Sequence, residues 1–172
     1  MNSTAERRAL FLDRDGTINI DKAYLYRPQD FEWVPGILEL CRAALQKGYD
    51  LVVVTNQSGI ARGYYTEADY EHITAYMKEQ LAAEGITLLD VLHCPLLEGP
   101  DRKPNPGLFL KARDRWGIDM AGSLSLGDKP RDAEAGERAG VGRNYVLTAD
   151  RPEQHTAHGG CIPTPQALIP YL

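Results

Sequence analysis

The sequence predicts an α/β fold, with a mainly parallel sheet carrying helices on both faces. Two observations predict it. Short apolar runs bounded by turn residues recur along the chain, and the segments between them place apolar residues at helical spacing. That alternation is the pattern of successive right-handed β-α-β crossovers, which leave a parallel sheet covered on both sides.

The elements follow in order. Ala9–Leu12 is the first predicted strand. Ile37, Cys41, Ala44 and Leu45 repeat at helical spacing, and Gly48 ends that helix. Leu51–Thr55 is the second strand. Thr66 is placed to cap a second helix carrying Tyr70, Ile73, Met77 and Leu81, with Gly85 behind it. Val91–Cys94 is the third strand, and Asn105-Pro106 opens a third helix with the proline at its first position. Ser123–Gly127, a helix over Arg131–Ala139, and Asn144–Thr148 complete the alternation. Thr148–Pro165, rich in Pro, Gly and His, is expected to wrap the surface, with a short helix starting near Pro165. No linker, repeat or low-complexity block interrupts the chain, so residues 1–172 are expected to form one domain.

Composition narrows the function. The chain has 172 residues, of which 43% are hydrophobic, enough for a globular core. No apolar run approaches the roughly 20 residues of a membrane span. Met1–Arg8 is polar and lacks the apolar stretch of a secretory signal, so a cytoplasmic location is expected. A net charge of −5 argues against a nucleic-acid partner held by general electrostatics. It leaves room for phosphorylated small molecules, which need only a few local positive charges. Cys41, Cys94 and Cys161 are scattered, which is neither a disulfide framework nor a zinc cluster. A monomer is expected, with no membrane or nucleic-acid partner.

In open α/β sheets, ligands sit beyond the carboxyl ends of the strands. Asp13 and Asp15 follow strand one, Thr55 and Asn56 end strand two, Arg102 and Lys103 lie after strand three, and Asp128 and Lys129 follow strand four. All these polar groups therefore fall at one sheet edge. Phosphate ester hydrolysis needs a nucleophile, a proton donor for the leaving oxygen, and positive charge around the phosphoryl group. A carboxylate such as Asp13 can attack phosphorus and form an acyl-phosphate. Asp15 can protonate the leaving alkoxide and later activate water. Magnesium prefers oxygen ligands, which the Asp13 and Asp128 carboxylates and the Asp15 carbonyl can supply. Thr55 can hydrogen-bond a phosphoryl oxygen, and Lys103 can neutralise remaining charge. Taken singly, each group has a plainer role: Asp13 and Asp15 as a solvated turn, Asp128 as a helix cap, Thr55-Asn56 as a cap, Lys103 as surface charge. Their order along one sheet edge favours the catalytic reading.

Phe11-Leu-Asp13-Arg-Asp15-Gly-Thr17, Thr55, Lys103, and Gly127-Asp128 with Asp132 resemble the four motifs of the haloacid dehalogenase (HAD) superfamily. The resemblance covers about residues 9–148. It implies a Rossmann-like sheet of strand order 3-2-1-4-5, capless apart from a short flap after strand one. A narrower resemblance, through Asp13–Asn19, Val54–Gly63, Arg102–Gly107 and Gly127–Lys129, is to the D-glycero-D-manno-heptose 1,7-bisphosphate 7-phosphatases, with histidinol-phosphate phosphatases as close relatives. It implies a magnesium-dependent phosphatase acting on a phosphorylated sugar, a step toward heptose donors for surface polysaccharide. Asp13 would be its nucleophile and Asp15 its acid and base. Thr55, Asn56, Gln57 and Ser58 would contact the substrate phosphate and its surroundings. Arg102 would recognise substrate, Lys103 would steady the phosphoryl group, and Lys129 would join the site. Asp21-Lys-Ala-Tyr24 lies where the family's flap meets the sugar, with Ala23 in place of the usual Gly.

The loop Cys94–Arg102 departs further. Many relatives carry a Cys-x-His and Cys-x-Cys zinc loop there, whereas here Leu96 replaces the His and no Cys pair precedes Arg102. Tetrahedral zinc needs four ligands, or three plus water. Cys94 with His93, whose side chain should face the opposite way, falls short, so no structural zinc is expected. A phospho-accepting receiver domain is the reading from another class. Its phosphoacceptor ends the third strand, where this chain has Cys94-Pro95.

Overall fold

The computed structural model describes residues 6–172. The Met1–Ala5 part of the polar N-terminal stretch lies outside them. Strands β1 (Arg8–Leu12), β2 (Tyr49–Asn56), β3 (Asp90–Cys94), β4 (Leu124–Gly127) and β5 (Arg143–Leu147) are all parallel, in the order β3-β2-β1-β4-β5. The helices between them are α1 (Ile37–Gln46), α2 (Glu67–Ala83), α3 (Gly107–Trp116) and α4 (Pro130–Arg138).

The two-residue period of β1 divides the core. Leu10 and Leu12 face one side and pack with Ile37 and Leu40 of α1 and Met77 and Leu81 of α2. Ala9 and Phe11 face the other and pack with Leu108, Phe109 and Ala112 of α3 and Ala135 of α4. Burial on both faces is why these strands read as continuous apolar runs. Helix α2 starts as its sequence indicates. The Thr66 hydroxyl accepts from the Asp69 N–H (3.1 Å), and the Asp69 carboxylate accepts from the Thr66 N–H (2.9 Å), forming a capping box. Among the described residues no helix is long and apolar enough to cross a membrane.

Two expectations are corrected. Pro106 is the residue before α3 rather than its first turn, and the helix begins at Gly107. The plainer role of Asp128 as a cap of α4 is not realised, because the Asp132 carboxylate accepts the Lys129 N–H instead (3.0 Å). The Thr148–Pro165 segment does not merely wrap the surface. Its β6 (Gln154–Thr156) and β7 (Gly159–Ile162) pair antiparallel, and β7 adds in parallel to β5, so the sheet has seven strands. The glycines that suggested a loop are what permit the pairing. A Cβ on Gly159 would lie 1.9 Å from the Asn144 carbonyl oxygen, and one on Gly160 would lie 1.8 Å from that of Gln154. Glycine here marks close backbone approach rather than a turn. The C-terminal helix near Pro165 is a 3₁₀ segment, Pro165–Tyr171.

Between β1 and α1, residues 14–34 form the short flap. It is pinned by Ile20 N–H to Glu32 O (2.8 Å) and Val34 N–H to Ile18 O (2.9 Å).

Candidate active site

A cavity of about 380 Å³ opens at the carboxyl ends of β1, β2 and β4. Its lining includes Asp13, Asp15, Asp21, Tyr24, Asn56, Gln57, Ser58, Arg102, Lys103, Asp128 and Lys129. Thr55 alone of the predicted site residues stands behind this surface, 1% exposed, with its Oγ1 accepting from Gln57 Nε2 (2.9 Å).

Lys103 is the charge centre. It is 2% exposed, and its ammonium donates to Asp13 Oδ1 (3.0 Å) and to the Val54 carbonyl (2.7 Å), and pairs with Asp132 Oδ1 (2.7 Å). Burial alone would pull this lysine down; the charges and hydrogen bonds of Asp13 and Asp132 outweigh it and hold it above the ordinary lysine value. Its backbone is pinned by Asn56. The Asn56 amide accepts from the Lys103 N–H (3.0 Å) and donates to the Lys103 carbonyl (3.1 Å). The loop after β3 is thereby tied to the end of β2.

The carboxylates of Asp13, Asp128 and Asp132 each offer an oxygen within 4.8 Å of the others. Burial pushes Asp13 up to about 8, opposed by Lys103 and reinforced by Asp132, Asp128 and Asp15. Burial and the Asp132 charge also raise Asp128. A cluster of hard oxygen donors that repel one another is what a small divalent cation relieves. Asp132 already spends one oxygen on the Lys103 ammonium and the other on the Lys129 N–H. That leaves Asp13 and Asp128 as the carboxylates with free oxygens. Gly16 makes their approach possible: its φ is +85°, and a Cβ there would lie 2.1 Å from Asp128 Oδ2.

Asp15 is held by groups that the sequence reading gave no role or a different one. Arg14, 1% exposed, donates Nη2 to both carboxylate oxygens (2.9 and 3.1 Å) and to the Leu25 carbonyl (3.0 Å). Asn19 Nδ2 donates to Oδ1 (3.0 Å) and Gln57 Nε2 to Oδ2 (3.0 Å). The turn after β1 folds Arg14 inward, although it stands between two aspartates in sequence. Tyr65, 5% exposed, donates its hydroxyl to Gln57 Oε1. Burial raises the Tyr65 phenol to about 12, so it stays a neutral donor.

On the flap, Ala23 and Tyr24 both have left-handed backbones, with φ of +52° and +62°. The Gly expected before Tyr24 is therefore a conformational preference that Ala23 meets with strain. The Tyr24 ring meets Tyr64 edge-on, at a centroid separation of 4.7 Å. Beside the shortened loop, Cys94 is 1% exposed. His93 stacks on Tyr70 at 3.9 Å and binds the Glu67 carboxylate through Nε2 (2.9 Å).

The profile of the polynucleotide kinase 3 phosphatase family matches residues 9–137. The D-glycero-alpha-D-manno-heptose-1,7-bisphosphate 7-phosphatase of Campylobacter jejuni is 47% identical over 147 residues, covering 85% of this chain and 86% of that protein. The chain belongs to the heptose 1,7-bisphosphate 7-phosphatase family. The D-glycero-beta-D-manno-heptose-1,7-bisphosphate 7-phosphatase of Escherichia coli K12 is 42% identical over 156 residues, covering 84% of this chain and 81% of that one. The solved structure of D,D-heptose 1,7-bisphosphate phosphatase from B. bronchiseptica, complexed with magnesium and phosphate, superposes with a TM-score of 0.84. The two share 27% identity, covering 95% of this chain and 97% of that chain. The sheet order 3-2-1-4-5 implied by the resemblance to the HAD superfamily is the order observed for β1–β5. Sequence reasoning left Arg14 and Asn19, and the further cavity-lining residues Arg62, Tyr65 and Arg131, without a role. Arg14, Asn19 and Arg62 lie inside the quoted motifs, and Tyr65 and Arg131 lie two residues beyond them. The only signal for them there was co-occurrence with the named residues.

Proposed function

We propose that this protein is a magnesium-dependent phosphatase that removes the 7-phosphate of D-glycero-D-manno-heptose 1,7-bisphosphate through an aspartyl-phosphate. The observation that carries the reading is the buried Lys103 ammonium bridging Asp13 and Asp132 while Asp128 completes the carboxylate cluster. It puts a nucleophile, a fixed positive charge and a cation site at one point. The family relationship supports the sugar substrate. A net charge of −5 argues against a polynucleotide.

Asp13 would attack phosphorus through its carboxylate. Lys103 holds that carboxylate in place and faces the phosphoryl oxygens as charge builds on them. Magnesium would be held by the Asp13 and Asp128 carboxylates and the Asp15 carbonyl, and would supply electrostatic stabilisation of the phosphoryl oxygens. Asp15 donates a proton to the leaving alkoxide. It then takes one from the water that hydrolyses the aspartyl-phosphate, returning the site to its starting state. Thr55, Asn56 and Ser58 shape the phosphate end of the cavity, and Asp21, Tyr24, Arg102 and Lys129 surround the rest of the substrate.

A screen of phosphorylated metabolites with magnesium, including both anomers of heptose 1,7-bisphosphate and histidinol phosphate, tests the reading. Preference for histidinol phosphate would overturn the substrate. Activity should vanish with EDTA and return with magnesium. Elemental analysis of the purified protein should give no stoichiometric zinc; one tightly bound zinc per chain would contradict the reading of the shortened loop. A cytoplasmic monomer fits the free thiols of Cys41, Cys94 and Cys161, and size-exclusion chromatography with light scattering checks the mass.

Arg102 is the specificity candidate. Its guanidinium has one long contact, to the Leu96 carbonyl (3.3 Å), and faces the cavity. A planar fork suits the hydroxyls or second phosphate of the substrate. Arg102→Ala is expected to lower kcat/KM for heptose 1,7-bisphosphate by roughly ten- to a hundredfold, about 1.5–3 kcal/mol, and far less for p-nitrophenyl phosphate. Equal losses on both substrates would move Arg102 into the general phosphate site.

A further inference from the structure

We infer that Gln57, oriented by Tyr65, is a positioning residue that couples the acid–base group Asp15 to Thr55, and does not itself bind substrate. The inference rests on the aspartyl-phosphate reading of the site.

The argument is one of hydrogen-bonding capacity. A glutamine side chain has two N–H donors and one carbonyl acceptor. Gln57 donates one N–H to Asp15 Oδ2 (3.0 Å) and the other to Thr55 Oγ1 (2.9 Å). Its carbonyl accepts from the Tyr65 hydroxyl. Both donors and the carbonyl are therefore engaged, and Gln57 is 2% exposed. No donor is left over for a sugar or a phosphate.

The orientation of the amide follows from its neighbours. The Asp15 oxygens already accept from Arg14 Nη2 and Asn19 Nδ2, so the amide nitrogen of Gln57, not its oxygen, faces Asp15 Oδ2. A neutral phenol beside the other end donates to the oxygen, so Tyr65 locks the same orientation. The backbone is fixed as well, since the Gln57 N–H donates to the Cys94 carbonyl (2.7 Å) at the end of β3. Thr55 uses an oxygen lone pair on Gln57. Its hydroxyl proton makes a long contact with the Asn56 carbonyl, 3.4 Å. One amide thus ties the direction of the proton-transfer group to a threonine fixed behind the cavity wall.

The consequence falls on proton transfer. In the first step the Asp13–phosphorus bond forms, the phosphorus–alkoxide bond breaks, and Asp15 gives its proton to the alkoxide oxygen. In the second, water oxygen bonds to phosphorus, the Asp13–phosphorus bond breaks, and Asp15 takes the water's proton. A misdirected Asp15 should slow the first step for poor leaving groups and the second step for every substrate.

The test uses full-length Gln57→Leu and Tyr65→Phe with two substrates that carry no sugar, phenyl phosphate and p-nitrophenyl phosphate. The phenolate of the first needs protonation far more than the p-nitrophenolate of the second. Gln57→Leu is expected to lose roughly 10- to 100-fold in kcat/KM on phenyl phosphate and under about threefold on p-nitrophenyl phosphate. Acid-quenched samples should show phosphorylated Asp13 accumulating beyond the wild-type level. Tyr65→Phe, which removes one hydroxyl, should give the same pattern at about three- to tenfold, and it decides the matter if Gln57→Leu does not fold. A raised KM with kcat kept, equal losses on both esters, or no accumulation of phosphoenzyme would each overturn the positioning role. Failure to trap phosphorylated Asp13 in any form, wild type included, would overturn the aspartyl-phosphate reading and this inference with it.

Discussion

Asp13→Asn is expected to abolish turnover while leaving the fold intact. Asparagine keeps the shape of aspartate, and its amide can accept the Lys103 hydrogen bond, but it cannot form an acyl-phosphate. We expect a loss of about 10³-fold or more on every phosphate ester. The same substitution should stabilise the metal-free protein. Asp13 is held at about 8 in the folded chain, well above the ordinary aspartate value, with burial as the main cause. The folded state therefore binds the proton more tightly than the unfolded chain does. Its contribution is fully present below pH 4 and is lost as the pH rises toward 8. The advantage of Asp13→Asn in Tm should be small near pH 4 and grow steadily to several degrees or more as the pH rises to 8. Magnesium should shrink that gap, because it favours the ionised carboxylate of the wild type. Thermal melts across this pH range, with and without magnesium, check it. Appreciable residual activity would remove Asp13 as the nucleophile. A Tm difference that does not vary with pH would mean that Asp13 is not protonated in the metal-free fold.

Lys103→Met is expected to have the second largest effect, on both activity and stability. Methionine fills much the same volume but leaves Asp13, Asp132 and the Val54 carbonyl without the buried ammonium that now joins them. Removing one partner of a buried ion pair costs about 3–5 kcal/mol, because the remaining charge is left uncompensated. That corresponds to a fall in Tm of roughly 10 °C. Turnover should drop by about 10³-fold for heptose bisphosphate and p-nitrophenyl phosphate alike, since both present the same phosphoryl group. Lys103→Arg should not rescue it, because one compact ammonium serves three oxygens that a planar fork cannot reach together. Losses confined to the sugar substrate would make Lys103 a specificity residue rather than the phosphoryl-binding cation. An unchanged Tm would mean that the ion pair adds little to stability.

The sequence by itself determined the sheet and the chemistry at its edge. Strands buried on both faces must be apolar throughout, so β1, β2 and β4 stand out as runs such as Ala9–Leu12 and Leu51–Val54. The residue types just after them have few other reasons to occur in that order. The hidden parts depend on contacts between distant segments, which no local pattern encodes. Strand β7 was missed because Gly159 and Gly160 look like turn residues until Asn144 and Gln154 are placed against them. Asp132 emerged as the partner of Lys103 only when α4 was seen to bring it within 2.7 Å. Arg14 carried no assigned role in the sequence, and Gln57 read as a substrate contact. Folding buries both against Asp15, where each must satisfy its hydrogen bonds within the protein. Local chemistry named the groups that react, and tertiary packing decided which groups aim them.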